Sequence, residues 1–451
     1  MRERVIIGRF GPGDRVAIPT ATGEVVTRLD LVASKKALGH GIGRALSDLR
    51  KLKLVPTEMA LDLLVLAAHV HAADTRISRA TESQDSWTRE IRLVVPVSDP
   101  TRWVAAAPTL RRILNFLSGD RWIIDFRVRP PKFRQCIYQA PAELIPPPFD
   151  SVNLFSGGLD SLIGAIDALE AGSQPLFASH AGEGAVSKPQ ENCFDVLQKH
   201  YAKQSPTRFR LWMNFSKKLV RKVGTEESTR ARSFLFFALG IFAGSSFGKQ
   251  FTLRVPENGL ISLNVPLDTL RLGALSTRTT HQFYIARWNQ LLKILSIPAV
   301  IENPYWDKTK GEMVSECTNA KLLHSLIPSS MSCASPTKGR WKKLKAEHCG
   351  YCLPCLIRRA ALVSASDPTA YSLPDLRAAV MDTRRAEGQQ IRSFQYAIER
   401  LRARPQLAKM LIHKPGPLYD NPERLDALAN VYQRGLEEVG VLLKGVQARP
   451  S

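Results

Sequence analysis

The residues with the clearest chemical potential are Leu154-Phe155-Ser156-Gly157-Gly158-Leu159-Asp160-Ser161. They follow an apolar run at 151–155 (SVNLF) and open an amphipathic one at 161–170, so they read as a strand-to-helix turn. Two glycines in such a turn let backbone N–H groups approach an anion closely. The helix N-terminus adds about half a positive charge, which suits phosphate or pyrophosphate. Ser156 and Ser161 can add hydroxyl donors, and Asp160 can cap the helix or stand near a magnesium ion shared with phosphates. An isolated Gly-Gly-x-Asp is usually a plain turn. Here the strand, both glycines and both serines point the same way. The loop is neither the G-x-x-x-x-G-K-[ST] phosphate loop nor the G-x-G-x-x-G dinucleotide turn.

The second chemical feature is thiol-rich. There are seven cysteines, Cys136, Cys193, Cys317, Cys333, Cys349, Cys352 and Cys355, an odd number that does not fit a disulfide framework in a chain of 451 residues. The last three repeat as C-x-x-C-x-x-C, and Cys333 precedes them. Four thiolates in tetrahedral geometry complete a structural zinc site and leave no open coordination position. The alternatives are a [4Fe–4S] cluster on the same thiols, His348 in place of one cysteine, or some thiols left free.

Placing both features requires a particular frame. Residues 1–148 read as mixed α+β, with short strands at 5–10 and 15–19 around Gly11-Pro12-Gly13. A helix over 59–73, a strand at 91–97, a helix over 103–117 and a strand at 122–128 follow. This unit carries no catalytic constellation, which suggests an accessory or protein-partner-binding role. Pro146-Pro147-Pro148 cannot continue a helix or lie in a central strand and reads as a spacer. From 149 to 365, strands at 151–155, 175–179, 207–213 and 250–255 alternate with helices at 161–170, 188–201 and 227–244. That alternation predicts an α/β fold with a parallel sheet covered on both faces, closed by the cysteine segment. Residues 366–451 read as a helical tail interrupted by Pro405, Pro415, Pro417 and Pro422.

Lys and Arg number 63 against 41 Asp and Glu, a formal charge of +22. This favours polyanionic partners, nucleic acid among them, or simply a solvated basic surface. No apolar run reaches the ~18 residues of a membrane span, and 234–246 reads as a buried helix. The first residues have no secretory pattern, so a soluble cytoplasmic protein is expected.

SGGLDS resembles the PP-loop of the ATP pyrophosphatases. Together with S-C…C-G-x-C-x-x-C-x-x-R near the end of the same unit, it resembles the QueC-like branch, the 7-cyano-7-deazaguanine synthases. Asn303-Pro304…Thr309-Lys310-Gly311-Glu312-Met313-Val314 is similar to that family's stretch ahead of its zinc cysteines. The full layout most resembles the QueC-like component of the Qat anti-phage defence system. The resemblance implies a PP-loop domain of the adenine nucleotide α hydrolase-like kind, using ATP and Mg2+ with structural Zn2+. It implies adenylation of a carboxylate such as that of 7-carboxy-7-deazaguanine. Transfer to an amine, from ammonia or a partner protein, would then give an amide, nitrile or conjugate. By position, residues 155–161 would hold ATP, with His180 near the nucleotide. Asp160, Ser161 and Lys310 would carry catalysis, and Arg232, Glu257, Asn258 and Gly259 would face the substrate. Cys333, Cys349, Cys352 and Cys355 would hold zinc. Where that family has Arg-Asn, this chain has Arg232-Ser233. The competing readings are a tRNA-modifying PP-loop enzyme, favoured by the charge, and a nucleotide-sensing scaffold without turnover.

Overall fold

The computed structural model describes residues 3–34, 37–83, 86–138, 147–181, 184–220, 223–224, 226, 228–268, 278–337 and 346–450. Period-two burial marks the edge strand β2 (Val25–Asp30), which lies beside the almost fully buried β1 (Arg4–Arg9). A small antiparallel pair, β3 (Val32–Ser34) and β4 (Ala37–Leu38), leads to helix α1 (Ile42–Lys51). Leucine and alanine cover nearly the whole circumference of α2 (Glu58–Arg76), so this helix is buried on almost every side. Thr57 starts it by accepting the Ala60 N–H at 3.2 Å. A single-turn α3 (Arg79–Glu82), β5 (Glu90–Val97), α4 (Pro100–Ser118) and β6 (Arg121–Val128) complete the unit. Asp99 and Pro100 start α4, and Gly119, at φ +73°, ends it in the left-handed conformation.

These strands form a four-stranded sheet in the order β2-β1-β5-β6, and every pairing is parallel. The N-terminal unit is therefore α/β, a correction to the mixed α+β expectation. The expected hairpin fails for a specific reason. Asp14 is drawn inward by the Phe10 N–H (2.9 Å) and by Arg127, so residues 15–19 run as irregular chain. Ile18 then packs over Val5, Ile7 and Val94.

The second sheet has the order β11-β10-β7-β8-β9, again all parallel. Its elements are β7 (Ser151–Leu154), α5 (Leu159–Glu170), β8 (Pro175–His180), α6 (Gly184–His200), β9 (Thr207–Leu211), α7 (Arg232–Gly244) and β10 (Phe251–Arg254). Then come α8 (Gly259–Leu263), α9 (Gln282–Ile294) and β11 (Ala299–Glu302). Strands β7 to β10 agree with the sequence pattern to within a residue or two, whereas β11, α8 and α9 had no counterpart in it. Helix α7 begins at Arg232, later than the expected 227. Pro146 lies outside the described residues. The proline run separates the sheets but not their cores, since α2 packs on α7 and one apolar cluster joins Leu63 and Leu66 to Val152, Leu176 and Phe237.

Beyond the sheet, α10 (Lys310–Ser315), α11 (Ala320–Leu326) and α12 (Leu353–Ala361) lead into the helical tail. The tail contains α13 (Ala386–Ala403), α14 (Leu407–Leu411) and α15 (Leu425–Leu442). It forms its own apolar cluster with α8 and α12, which carries α15 against the N-terminus of α10. Among the described residues, no helix is long and apolar enough to cross a membrane.

Candidate functional site

Strand β7 is the switch point of its sheet, with β8 on one side and β10 on the other. Crevices outside the carboxyl ends of such strands are the usual ligand sites of open α/β sheets. The loop 155–158 leaves β7 there and turns into α5. Gly157 makes the turn at φ +77°. A Cβ at Gly157 would lie 2.7 Å from the Gln190 Cα, so no larger residue fits against α6. Three loop amides currently face hydroxyl oxygens: Ser156 N–H to Ser161 Oγ (3.2 Å), Gly158 N–H to Ser156 Oγ (3.3 Å) and Leu159 N–H to Ser332 Oγ (3.3 Å). Hydroxyl rotors can yield such amides to a stronger anionic acceptor.

A cavity of about 680 Å³ opens over this loop. Phe155, Ser156, Gly158, Leu159, Asp160 and Ser161 line one wall, and His180, Arg232, Glu257 and Lys310 line the others. Phe236, Leu239, Ile261 and Leu353 give it an apolar flank. The tail contributes Ala386 and Gln390, which no sequence motif signalled.

At the floor, Lys310 Nζ is 2.7 Å from Asp160 Oδ1, and both residues are almost fully buried. Asp160 Oδ2 accepts from the Asn258 side-chain amide (2.8 Å) and backbone N–H (3.3 Å). Asp160 therefore does not cap its own helix; it is held by a lysine and an asparagine. Lys310 is aimed by the start of α10, where Thr309 and Glu312 form a reciprocal capping box. Glu438 of α15 accepts from Thr309 Oγ1 and from the Gly311 N–H, so the tail clamps the helix that presents the lysine.

Glu257 lines the cavity from the loop after β10. Thr280 donates to its Oε2, and Asn303 holds its backbone from both sides, accepting the N–H at 3.2 Å and donating to the carbonyl at 2.7 Å. Burial pushes the Glu257 carboxyl up to about 7, against the opposing Thr280 hydrogen bond. Asn258 and Gly259, grouped with the substrate by resemblance, are placed behind the wall. Asn258 is fully buried and caps α8 through the Ile261 N–H, and Gly259 packs against the Trp306 carbonyl and Val431.

His180 sits beside Arg232, with its ring 5.6 Å from Phe236 and 6.0 Å from His71 of α2. Burial first and the Arg232 charge second hold His180 down to about 4, a neutral imidazole beside a cation. The loop before Arg232 is gripped by the N-terminal unit. Asp74 accepts the Ala231 N–H at 2.8 Å within a buried cluster with Arg79, Arg89 and Asp120. The first 148 residues thus shape one corner of the cavity.

The four cysteines converge on one point. The Sγ atoms of Cys333, Cys349, Cys352 and Cys355 all lie within 4.8 Å of one another, with 333–352 and 349–355 each at 3.9 Å. Four sulfurs about 2.3 Å from one ion in a tetrahedron would stand about 3.8 Å apart. The set can hold a single metal such as zinc; a cubane would need its thiolates on four separate irons, spread more widely. Cys352 stands at the N-cap position of α12, whose N-terminus favours thiolate charge. His348 is not part of the set, because its Nε2 accepts the Ser332 N–H at 3.1 Å. Arg358, in the turn after Cys355, reaches Ser330 (3.0 Å) and Ser332 (3.2 Å), while Ser332 touches the Leu159 amide. The cysteine segment is thereby fastened to the anion loop, and Cys333 and Cys352 line the same cavity. Arg358 stood in the motif, three residues after Cys355, but its partners are distant in sequence and gave no local signal.

No family model matches the chain, and no curated protein matches it.

Proposed function

We propose that the chain is a QueC-like, ATP-dependent adenylating enzyme that activates a carboxylate and passes it to an amine. The observation that carries this reading is the buried Lys310–Asp160 pair at the base of a glycine loop that lines a cavity of about 680 Å³. The cavity is large enough for a nucleotide and a small heterocyclic acid, by comparison with ordinary ligand pockets.

In this reading the loop 155–158 and the N-terminus of α5 take the phosphates, exchanging hydroxyl contacts for phosphate oxygens. Lys310 and Arg232 bring positive charge to the cavity wall. They stabilise charge that develops on pyrophosphate as it leaves the α-phosphorus. An ionised carboxylate attacks without needing a base, so no triad is required. Asp160 is occupied by Lys310 and Asn258 and serves to fix the lysine. Magnesium would ride on the phosphates and supply charge neutralisation there. The four thiolates would hold zinc for structure, since a four-sulfur site leaves no position for a reactant. The complete site argues against the thiolation branch of tRNA modification.

The test is ATP–pyrophosphate exchange with 7-carboxy-7-deazaguanine as the acid, on protein whose metal has been analysed. The expected result is acid-dependent exchange with about one zinc and no iron per chain. Exchange absent with every carboxylate tried, or iron in place of zinc, overturns the reading.

A further inference from the structure

We propose that Glu257 is the proton acceptor for the amine in the second half-reaction, the step that consumes the acyl-adenylate. The inference rests on the adenylation reading and assigns to its site a group which the first step does not use.

Three observations lead there. First, position: β10 neighbours β7, so the loop after β10 faces the anion loop across the switch point of the sheet, and Glu257 lines the cavity there. Second, fixation: the backbone of Glu257 is held at both polar groups by Asn303, and Oε2 is held by Thr280. A surface glutamate would lose side-chain freedom for no gain in such an arrangement. Third, division of labour: the other carboxylate at the floor, Asp160, already has a lysine and an asparagine. Two neighbouring carboxyls with different surroundings take different protonation roles.

The charged groups that face Glu257 are Asp160 from α5 and Lys310 from α10, and Arg232 of α7 lines the same cavity. Their opposing signs largely offset, and enclosure dominates, which brings the carboxyl to about 7. A base poised near the working pH is the most effective kind.

The amine nitrogen attacks the acyl carbon with its lone pair, and a C–N bond forms. The C–O bond to the adenylate phosphate breaks, and AMP leaves with that electron pair. The surplus N–H proton passes to the Glu257 carboxylate, which later returns it to water. No oxidant or reductant is involved.

The experiment uses the full-length protein with 7-carboxy-7-deazaguanine, ATP and Mg2+. It compares pyrophosphate exchange, which reads the first half-reaction, with amide formation from ammonia, which reads both. For Glu257→Gln, which keeps the size and the Thr280 contact, amide formation should fall about 100-fold or more relative to wild type. Exchange should fall far less. Hydroxylamine, a strong nucleophile already neutral at pH 7, should recover product in the variant. In the wild-type chain, amide formation corrected for the neutral ammonia present should rise with pH and level off above about 7. That readout does not depend on the variant folding. Equal loss of exchange and amide formation would place Glu257 with the nucleotide and overturn the inference while leaving adenylation intact. A corrected pH profile that is flat through 7 would do the same. Absence of exchange in the wild-type protein would overturn the adenylation reading and this inference together.

Discussion

Among the described residues, the two larger sheets are both parallel and of closely similar plan, and only the second opens onto a cavity at its carboxyl edge. In each, the first strand is the switch point: β1 lies between β2 and β5, and β7 lies between β8 and β10. Each therefore has a place where a crevice should open at the carboxyl edge. In the first sheet that place is filled. Asp14 occupies the end of β1, bound to the Phe10 N–H and paired with Arg9 and Arg127. At the ends of β5 and β6, Asp62 accepts from Ser98 and pairs with Arg129, which also reaches Glu58. In the second sheet the equivalent place holds the small residues Ser156, Gly157 and Gly158 and an open cavity. The same topology thus yields a sealed ionic plug or an open cavity: both first turns contain two glycines, but only the first is followed by an acidic side chain folded back over the strand end.

This contrast can be broken most strongly at Lys310. Lys310→Met should lower ATP–pyrophosphate exchange about 100- to 1000-fold, equivalent to about 2.7–4 kcal/mol, since it removes the positive charge beneath the loop. A loss of less than about threefold would mean that the pair is merely structural. The counterpart in the first sheet is Arg129→Met. It strands the Asp62 carboxyl, whose protonation range burial already raises against the pull of Arg129. Stability should fall by about 3–5 kcal/mol in denaturant titration, with exchange per folded molecule retained. Loss of exchange without loss of stability there would erase the distinction between the sheets.

The third prediction concerns acid. Burial holds His69 and His180 down to about 4, and His71, His281 and His348 to about 3, below the usual 6.5. Unfolding lets these imidazoles take up protons, so their contribution is complete above pH 6.5 and is lost as pH falls toward 4. The slope is up to about 1.4 kcal/mol per pH unit for each histidine. Glu257, Asp62 and Asp74, raised by burial, work in the opposite sense but are fewer. The thermal midpoint should therefore drop between pH 7 and 5, and an unchanged midpoint would contradict the buried neutral state of these rings.

Much of the site was legible because its signals are local. The turn at 155–158 needs Gly157 at positive φ, and the thiol spacing reflects one coordination sphere; both are written within a few residues. Strands β7 to β10 were legible because parallel buried strands are short apolar runs between turns, whereas the edge strand β11, mostly not buried, gave no such run. What escaped was set at long range. Gly11-Pro12-Gly13 looks like a turn between paired strands, whereas Asp14 is folded back to the end of β1 by the Phe10 N–H, by Arg9 and, from more than a hundred residues away, by Arg127. Asn258 looked like a substrate contact because it adjoins a strand end, whereas its partner Asp160 makes it a support. The holds on Thr309 and Gly311 by Glu438, on Glu257 by Thr280 and Asn303, and on Ser332 by Arg358 join residues with no common sequence pattern.

The most direct test of the account is calorimetric titration of Mg2+ and a non-hydrolysable ATP analogue into the wild-type protein and into Gly157→Ala. A side chain at this left-handed position costs about 1–2 kcal/mol and collides with the backbone of α6. The account predicts one nucleotide per wild-type chain and binding at least about tenfold weaker in the variant. No binding to the wild-type chain, or equal affinity in both, would contradict it.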